Sequence, residues 1–265
     1  MIQANRLSAA PRNSVLASLP ASDLERLRPF LVQVSLVGRQ VLAEVGQPGS
    51  YVYFIERGIA SVIVKPLAGE EGVQVAMIGR EGVAGDLAFR SVPQPAPART
   101  VMHLPGEALR MSIGDLRQAF EHSPALHAAC MRFAGDLMAQ VMQTFSSNAQ
   151  RSLLERCARW LVMTHERNDG NDIRITHEGL SAMLGIGRPS ITVAAATLQQ
   201  AGLIGIGRGR FTVLDCVRLS SLAAGGAAVP TATFRRDGHD ASRCDGWMLA
   251  MAAPGTELAI SQLGS

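Results

Sequence analysis

Two groups of arginines sit beside glycine-rich turns in one stretch of this chain. Arg188-Pro189-Ser190 follows Gly185-Ile186-Gly187, and Arg208 and Arg210 alternate with Gly205, Gly207 and Gly209. A guanidinium can donate paired hydrogen bonds to guanine O6 and N7, or to a phosphate. The same stretch holds Thr176, His177, Ser190 and Thr192, whose polar groups suit phosphate oxygens. Val193 and Ala196 take outward positions on the second helix of the pattern, where apolar groups can touch thymine methyls. This is the chemistry of gripping duplex DNA. Arg188 is the candidate base reader, with Val193 and Ala196. Thr176, His177, Ser190, Thr192, Arg208 and Arg210 are the candidate phosphate contacts.

The local pattern explains how these groups would be held. Thr176 is a good N-cap, and Glu178 places a negative charge in the first turn, where the helix dipole favours it. Leu180 and Leu184 share one buried face. Gly185 and Gly187 permit the left-handed backbone of a sharp turn. Pro189 suits the first turn of a second helix and sets Arg188 at its entrance. Ile191, Ala195 and Leu198 make that helix's inner stripe, Gly202 ends it, and Leu203-Ile204 opens a strand. A basic glycine turn and a return strand from Phe211 complete a hairpin. An ordinary helical hairpin in a core is the plainer reading, and the arginine-tipped hairpin directly after the second helix counts against it.

In this order the segment resembles the winged helix-turn-helix of Crp/Fnr-type bacterial transcription regulators. A coarser resemblance runs from Ser14 to Leu219. It implies an α+β fold: an N-terminal cyclic-nucleotide-binding-like β jelly roll, a long dimerisation helix and a C-terminal winged helix-turn-helix. The expected divisions are 1–123 for the sensor, 124–148 for the dimerisation helix and 149–220 for the DNA-binding domain. The implied partners are double-stranded DNA with a palindromic operator, a second copy of the chain, and RNA polymerase as a further candidate.

The residues support that frame independently. Short β-rich runs fill Val32 to Ile113: Val32–Val37, Gln40–Val45, Tyr51–Glu56, Ala60–Lys65, Val73–Ile78, Thr100–Leu104 and Ala108–Ile113. Such spacing indicates a sandwich or jelly roll. A short helix is expected over Ser22 to Leu31, capped by Ser22 or Asp23, and the prolines between Ser91 and Ala98 mark a loop. Pro124 then opens a helix that nothing breaks until Asn148. Leu126, Cys130, Phe133, Leu137, Val141 and Thr144 recur along it at nearly 3.5 spacing, a candidate dimer seam. A core helix packed on its own barrel would show the same stripe. A further helix is expected over Gln150 to His165. Residues 221–265 lose periodicity and read as a disordered tail, with Trp247 to Ala252 as a local helix.

The resemblance also locates an effector site. Gly85-Asp86-Leu87 falls where cyclic-AMP-binding relatives keep an acidic residue for the ribose, and Arg99-Thr100 where they hold the cyclic phosphate. Asp86 is one methylene shorter than the usual glutamate, and Val141 and Met142 stand where hydroxyls meet the base. Both changes argue against cyclic AMP itself, so the implied cofactor is a cyclic nucleotide or another small effector. Arg99 also fits a plain ion pair with Asp86 or Glu81. His103 is either a metal or haem ligand or a packed residue.

Composition narrows the remaining classes. The 265 residues are 47% hydrophobic with a formal charge of +3, enough for one large or two small domains. Between Ala149 and Ser220, nine arginines face six carboxylates, an excess of three. No apolar run reaches the roughly 18 residues of a membrane span, and Met1 to Ala10 has no signal-like centre, so a cytoplasmic location is expected. Cys130, Cys157, Cys216 and Cys244 lack metal spacing, and without a cysteine before Cys130 an N-terminal iron–sulfur cluster is not expected. No nucleophile–base arrangement or phosphate loop appears, so the chain is not expected to be an enzyme. Two alternatives stay open: a regulator that binds DNA constitutively through a degenerate sensor, and a small-molecule-binding protein or enzyme with a helical appendage.

Overall fold

The computed structural model describes residues 10–64, 72–85, 96 and 98–225. Two short helices, α1 (Ser14–Ala17) and α2 (Ala21–Leu27), precede the sheet. Asn13 is fully buried; it caps α1 and donates to the carbonyls of Ile55 and Gly82, tying the chain start to the sheet. Ser22 and Asp23 do not cap α2, whose N-cap position is Pro20. Asp23 instead accepts hydrogen bonds from Ser123 at 2.5 Å and Arg26 at 2.6 Å, which lower its carboxyl pKa, the Ser123 bond most.

Six antiparallel strands follow: β1 (Val32–Leu36), β2 (Val41–Ala43), β3 (Tyr51–Val64), β4 (Val73–Ile78), β5 (Val83–Gly85) and β6 (Arg99–Ser112). The sheet order is β1-β6-β3-β4, with β2 also on β6 and β5 also on β3. Four of the short runs expected from sequence are two continuous strands. Tyr51–Glu56 joins Ala60–Lys65 in β3, and Thr100–Leu104 joins Ala108–Ile113 in β6. The glycines bend these strands instead of ending them. Gly58 has φ +85°, a Cβ there would lie 2.7 Å from Leu104 O, and the β3–β6 register shifts between Arg57 and Ile59. Bends of this kind curl a sheet into a closed roll.

Helix α3 (Ile113–His122) was not anticipated; Ser112 caps it by accepting from Asp115 N at 3.0 Å. Helix α4 (Pro124–Gln150) spans 27 residues, roughly 40 Å at 1.5 Å per residue. The expected seam on it divides. Leu126 and Cys130 are 0% exposed and Phe133 6%, and all three pack into the sheet's own core. Phe133 lies so close to Gly82 that a Cβ there would clash with its ring. Leu137 and Val141 are half-buried against that core, and Thr144 donates to Gln140 O. These residues therefore make a core stripe. The open face of α4 carries Met131, Gly135, Met138, Met142, Phe145 and Ala149, all exposed and spaced alternately four and three apart.

After Arg151, a capping box of Ser152 and Glu155 starts α5 (Leu153–Arg167), running two residues past the expected His165. Then come β7 (Asp172–Ile173), α6 (His177–Leu184), α7 (Arg188–Gln200), β8 (Ile204–Gly207), β9 (Arg210–Val213) and α8 (Cys216–Ala223). A second core gathers residues of α5 to α8 around Leu161, Leu180, Ile191 and Phe211, and also takes Ile59, Met77 and Leu104 from the sheet. Among the described residues, no helix is long and apolar enough to cross a membrane. Lys65, most of the Ser91–Ala98 loop, and the proposed tail beyond Gly225 lie outside the described residues.

Candidate nucleic-acid interface

Helix α6 begins as its sequence dictates: Thr176 Oγ1 accepts from Gly179 N at 3.0 Å. It ends at Gly185, which is left-handed at φ +63°. Gly187 is not left-handed; with φ −57° and ψ 138° it is the extended N-cap residue of α7. Ser181 closes the turn by donating to Ile186 O. One face of α7 is fixed in the core by Ile191, Ala194, Ala195 and Leu198, each 6% exposed or less.

The opposite face of α7 is open. Arg188, Pro189, Ser190, Thr192, Val193 and Thr197 are exposed, and Ala196 is half-buried. Arg188 heads the helix, with Nε 3.8 Å from Glu178 Oε2. Both side chains are about two-thirds exposed or more, so this pair contributes little and leaves the guanidinium available. Thr192 Oγ1 donates to Arg188 O at 3.0 Å.

The wing is a three-stranded antiparallel sheet in the order β7-β9-β8. Gly209, at φ +70°, makes the turn, and Arg208 stands exposed at its tip. Arg210 is also exposed, but Asp172 Oδ2 lies 3.2 Å from its Nη1, and Asp172 Oδ1 accepts from Thr212. Asp172, four residues before the N-cap Thr176, carries no local sign of this role. His177 is half-buried, its ring 5.1 Å from Phe211 in an edge contact. The structure thus brings Thr176, His177, Arg188, Ser190, Thr192, Val193, Ala196, Arg208 and Arg210 together on one region of two helices and a hairpin.

The expected effector residues are only partly gathered. Gly85 lies in β5 beside Thr100, which is 1% exposed and donates to Gly85 O at 3.4 Å. Arg99 pairs with Glu44 at 3.2 Å, not with Glu81, whose carboxylate holds Arg167 at 2.7 Å. Asp86 and Leu87 lie outside the described residues. Met142 is 63% exposed and faces away from the sheet. His103 packs edge-on to Trp160 with ring centroids 5.3 Å apart, and burial lowers its pKa to about 4.

Several contacts join the β roll to α4 and α5. Gln140 Oε1 accepts from Met77 N at 2.6 Å while its Nε2 donates to Met77 O at 3.1 Å. Trp160 Nε1 donates to Gln74 Oε1 at 2.8 Å. Asp169 receives Arg12 at 3.0 Å, with Arg57 and Arg80 each at 3.9 Å; the Arg12 hydrogen bond is the main cause of its lowered pKa. None of these pairings was foreseen from sequence, because the residues of each pair are far apart along the chain.

A reading helix braced by a second helix and flanked by a basic wing defines a DNA-binding regulator of the winged helix-turn-helix class. Residues 155–222 match the Crp-like helix-turn-helix domain family. A global nitrogen regulator from Synechocystis sp. is 24% identical over 183 residues, covering 66% of this chain and 81% of that protein. FixK2 from Bradyrhizobium japonicum shares the fold with a TM-score of 0.61 at 15% identity, over 72% of this chain and 96% of its own. A CRP/FNR-family transcriptional regulator from Thermus thermophilus gives 0.58 at 18% identity, over 72% and 98%. Residues 155–222 thus carry a Crp-like helix-turn-helix domain, and the chain as a whole shares its fold with Crp/Fnr-type regulators.

Proposed function

We propose that two copies of this chain bind a palindromic operator, with α7 of each in a major groove. The observation that carries this reading is the open face of α7, headed by an accessible Arg188 and flanked by the wing tip at Arg208. Arg188 reads a guanine, Val193 and Ala196 touch thymine methyls, and Thr176, His177, Ser190, Thr192, Arg208 and Arg210 hold phosphates. Because Val193 and Ala196 are uncharged, the operator is read by one guanidinium and by apolar contact on each half-site.

The exposed stripe of α4 supports docking of the second copy there. Met131, Gly135, Met138, Met142, Phe145 and Ala149 follow a heptad-like repeat, and Gly135 has nothing within 4 Å of a Cβ, leaving room for close helix crossing. The division of labour falls at Arg151, between α4 and α5. A small effector in the β roll near Gly85, Arg99 and Thr100 would shift the population of helix crossings and so the spacing of the two reading helices.

The test is selection of duplexes from a random pool by the purified protein. The expected product is an inverted repeat with half-sites roughly 34 Å apart. A single asymmetric site overturns the dimer, and no enrichment overturns sequence-specific reading.

A further inference from the structure

A cleft opens where β4, the end of α4, α5 and the last turn of α6 meet. Gln74, Ser147, Arg156, Arg159, Trp160 and Leu184 are among its lining residues, and no Asp or Glu lines it. Its cavity is about 40 Å³. A single water needs roughly 10–15 Å³ on this measure, so the space suits about three waters or one tetrahedral oxyanion.

The chemistry of the lining is one-sided. Ser147 is 5% exposed, and its Oγ has no hydrogen-bond partner. Arg156 Nε is likewise buried without a partner, although its Nη2 donates to Leu184 O at 3.0 Å. Arg159 is 6% exposed, and burial, then repulsion from Arg151 and Arg167, disfavours its charged form, with Glu166 opposing. The polar groups already spent are Trp160 Nε1 on Gln74 Oε1 and Gln74 Nε2 on Ala76 O. Buried polar atoms are nearly always satisfied. What remains open here is a hydroxyl and a guanidinium N–H, beside a second guanidinium.

We propose that this cleft is an anion site, taking one phosphate-type oxyanion on Ser147, Arg156 and Arg159. The anion is either free or the terminal phosphoryl group of a small metabolite. The site is separate from the β-roll residues Gly85, Arg99 and Thr100. It also touches the reading unit: Arg156 already clasps the carbonyl of Leu184, the residue before the Gly185 turn. An anion there fixes Arg156 from both sides and holds α6 against β4.

The experiment is calorimetric titration of the full-length protein, without DNA, in chloride buffer at constant ionic strength. Inorganic phosphate and glycerol phosphate are the two probes. One phosphate per chain is expected, weakened at least about tenfold in Arg156→Gln and about threefold in Ser147→Ala, and unchanged in the wing variant Arg208→Gln. Tighter binding of glycerol phosphate assigns the site to a metabolite phosphoryl group, and equal or weaker binding to the free anion. Circular dichroism checks folding; if Arg156→Gln is unfolded, Ser147→Ala carries the test. Binding that is unchanged in the cleft variants, lost in Arg208→Gln, or no stronger than chloride overturns the site. Because DNA is absent, that failure leaves the operator reading untouched.

Discussion

The side-chain amide of Gln140 satisfies both backbone polar groups of Met77. Met77 lies in β4, the end strand of the path β1-β6-β3-β4, and Gln140 takes the place of a further strand. An unpaired edge is costly when buried, and Gln140 is itself only 3% exposed. Replacement by Leu keeps the volume but leaves an N–H and a C=O of Met77 buried and unpaired. Gln140→Leu is expected to cost about 2–4 kcal/mol in urea unfolding. A loss under 0.5 kcal/mol, on the order of a surface change, would mean that water replaces the amide.

The two stripes of α4 predict opposite consequences. Met138 is 55% exposed and Phe133 6%. Met138→Glu is expected to shift the protein from dimer to monomer in sedimentation, with the single chain's fold intact. Phe133→Ala is expected to destabilise the chain by about 3–5 kcal/mol. If Met138→Glu sediments as the wild type does, the exposed stripe is not the dimer seam.

Arg188 heads α7 with its guanidinium in solvent. Arg188→Ala is expected to weaken operator binding by about 1–3 kcal/mol and to relax one base position. Sites selected by the variant should lose that preference alone. Identical selected sites for variant and wild type refute base reading by Arg188.

Arg208 stands exposed at the wing tip, the position proposed above for a phosphate contact. Arg208→Ala is expected to weaken operator and random duplex alike and to reduce the salt slope by roughly one. Binding measured across a salt series on both duplexes decides it; a loss confined to the operator points to base contact.

His103 gives a pH dependence with a definite sign. Its pKa is about 4 in the folded chain, through burial, against an ordinary value of 6.5. Between those values the unfolded chain binds a proton that the folded chain refuses, so stability falls as pH drops. From pH 7 to pH 5 the loss from this group is about 2 kcal/mol. His103→Phe keeps a ring against Trp160 but cannot titrate, and denaturant melts should lose that part of the slope. An unchanged slope in the variant assigns the effect elsewhere.

The reading unit was legible in the sequence because its signals are local. The Thr176 cap, the left-handed Gly185, the entrance at Arg188-Pro189 and the turn at Gly209 each depend on a few neighbouring residues. The β roll was legible as β-rich runs, but Gly58 and Gly106 looked like strand ends. They are bends, because a partner strand continues across them.

Sequence alone determined the order of elements and the face of α7 that meets solvent, since backbone conformation and helical periodicity are set by short-range sterics. It did not decide which apolar stripe of α4 is core. Met131, Met138 and Phe145 repeat as regularly as Leu126, Cys130, Phe133 and Leu137, so periodicity cannot choose between them. The β roll chooses, by burying one stripe and leaving the other in solvent. The same holds for Gln140 on Met77, Trp160 on Gln74 and Arg167 on Glu81. Each is a contact across more than sixty residues, formed only when α4 and α5 dock on β4 and the turn beyond it.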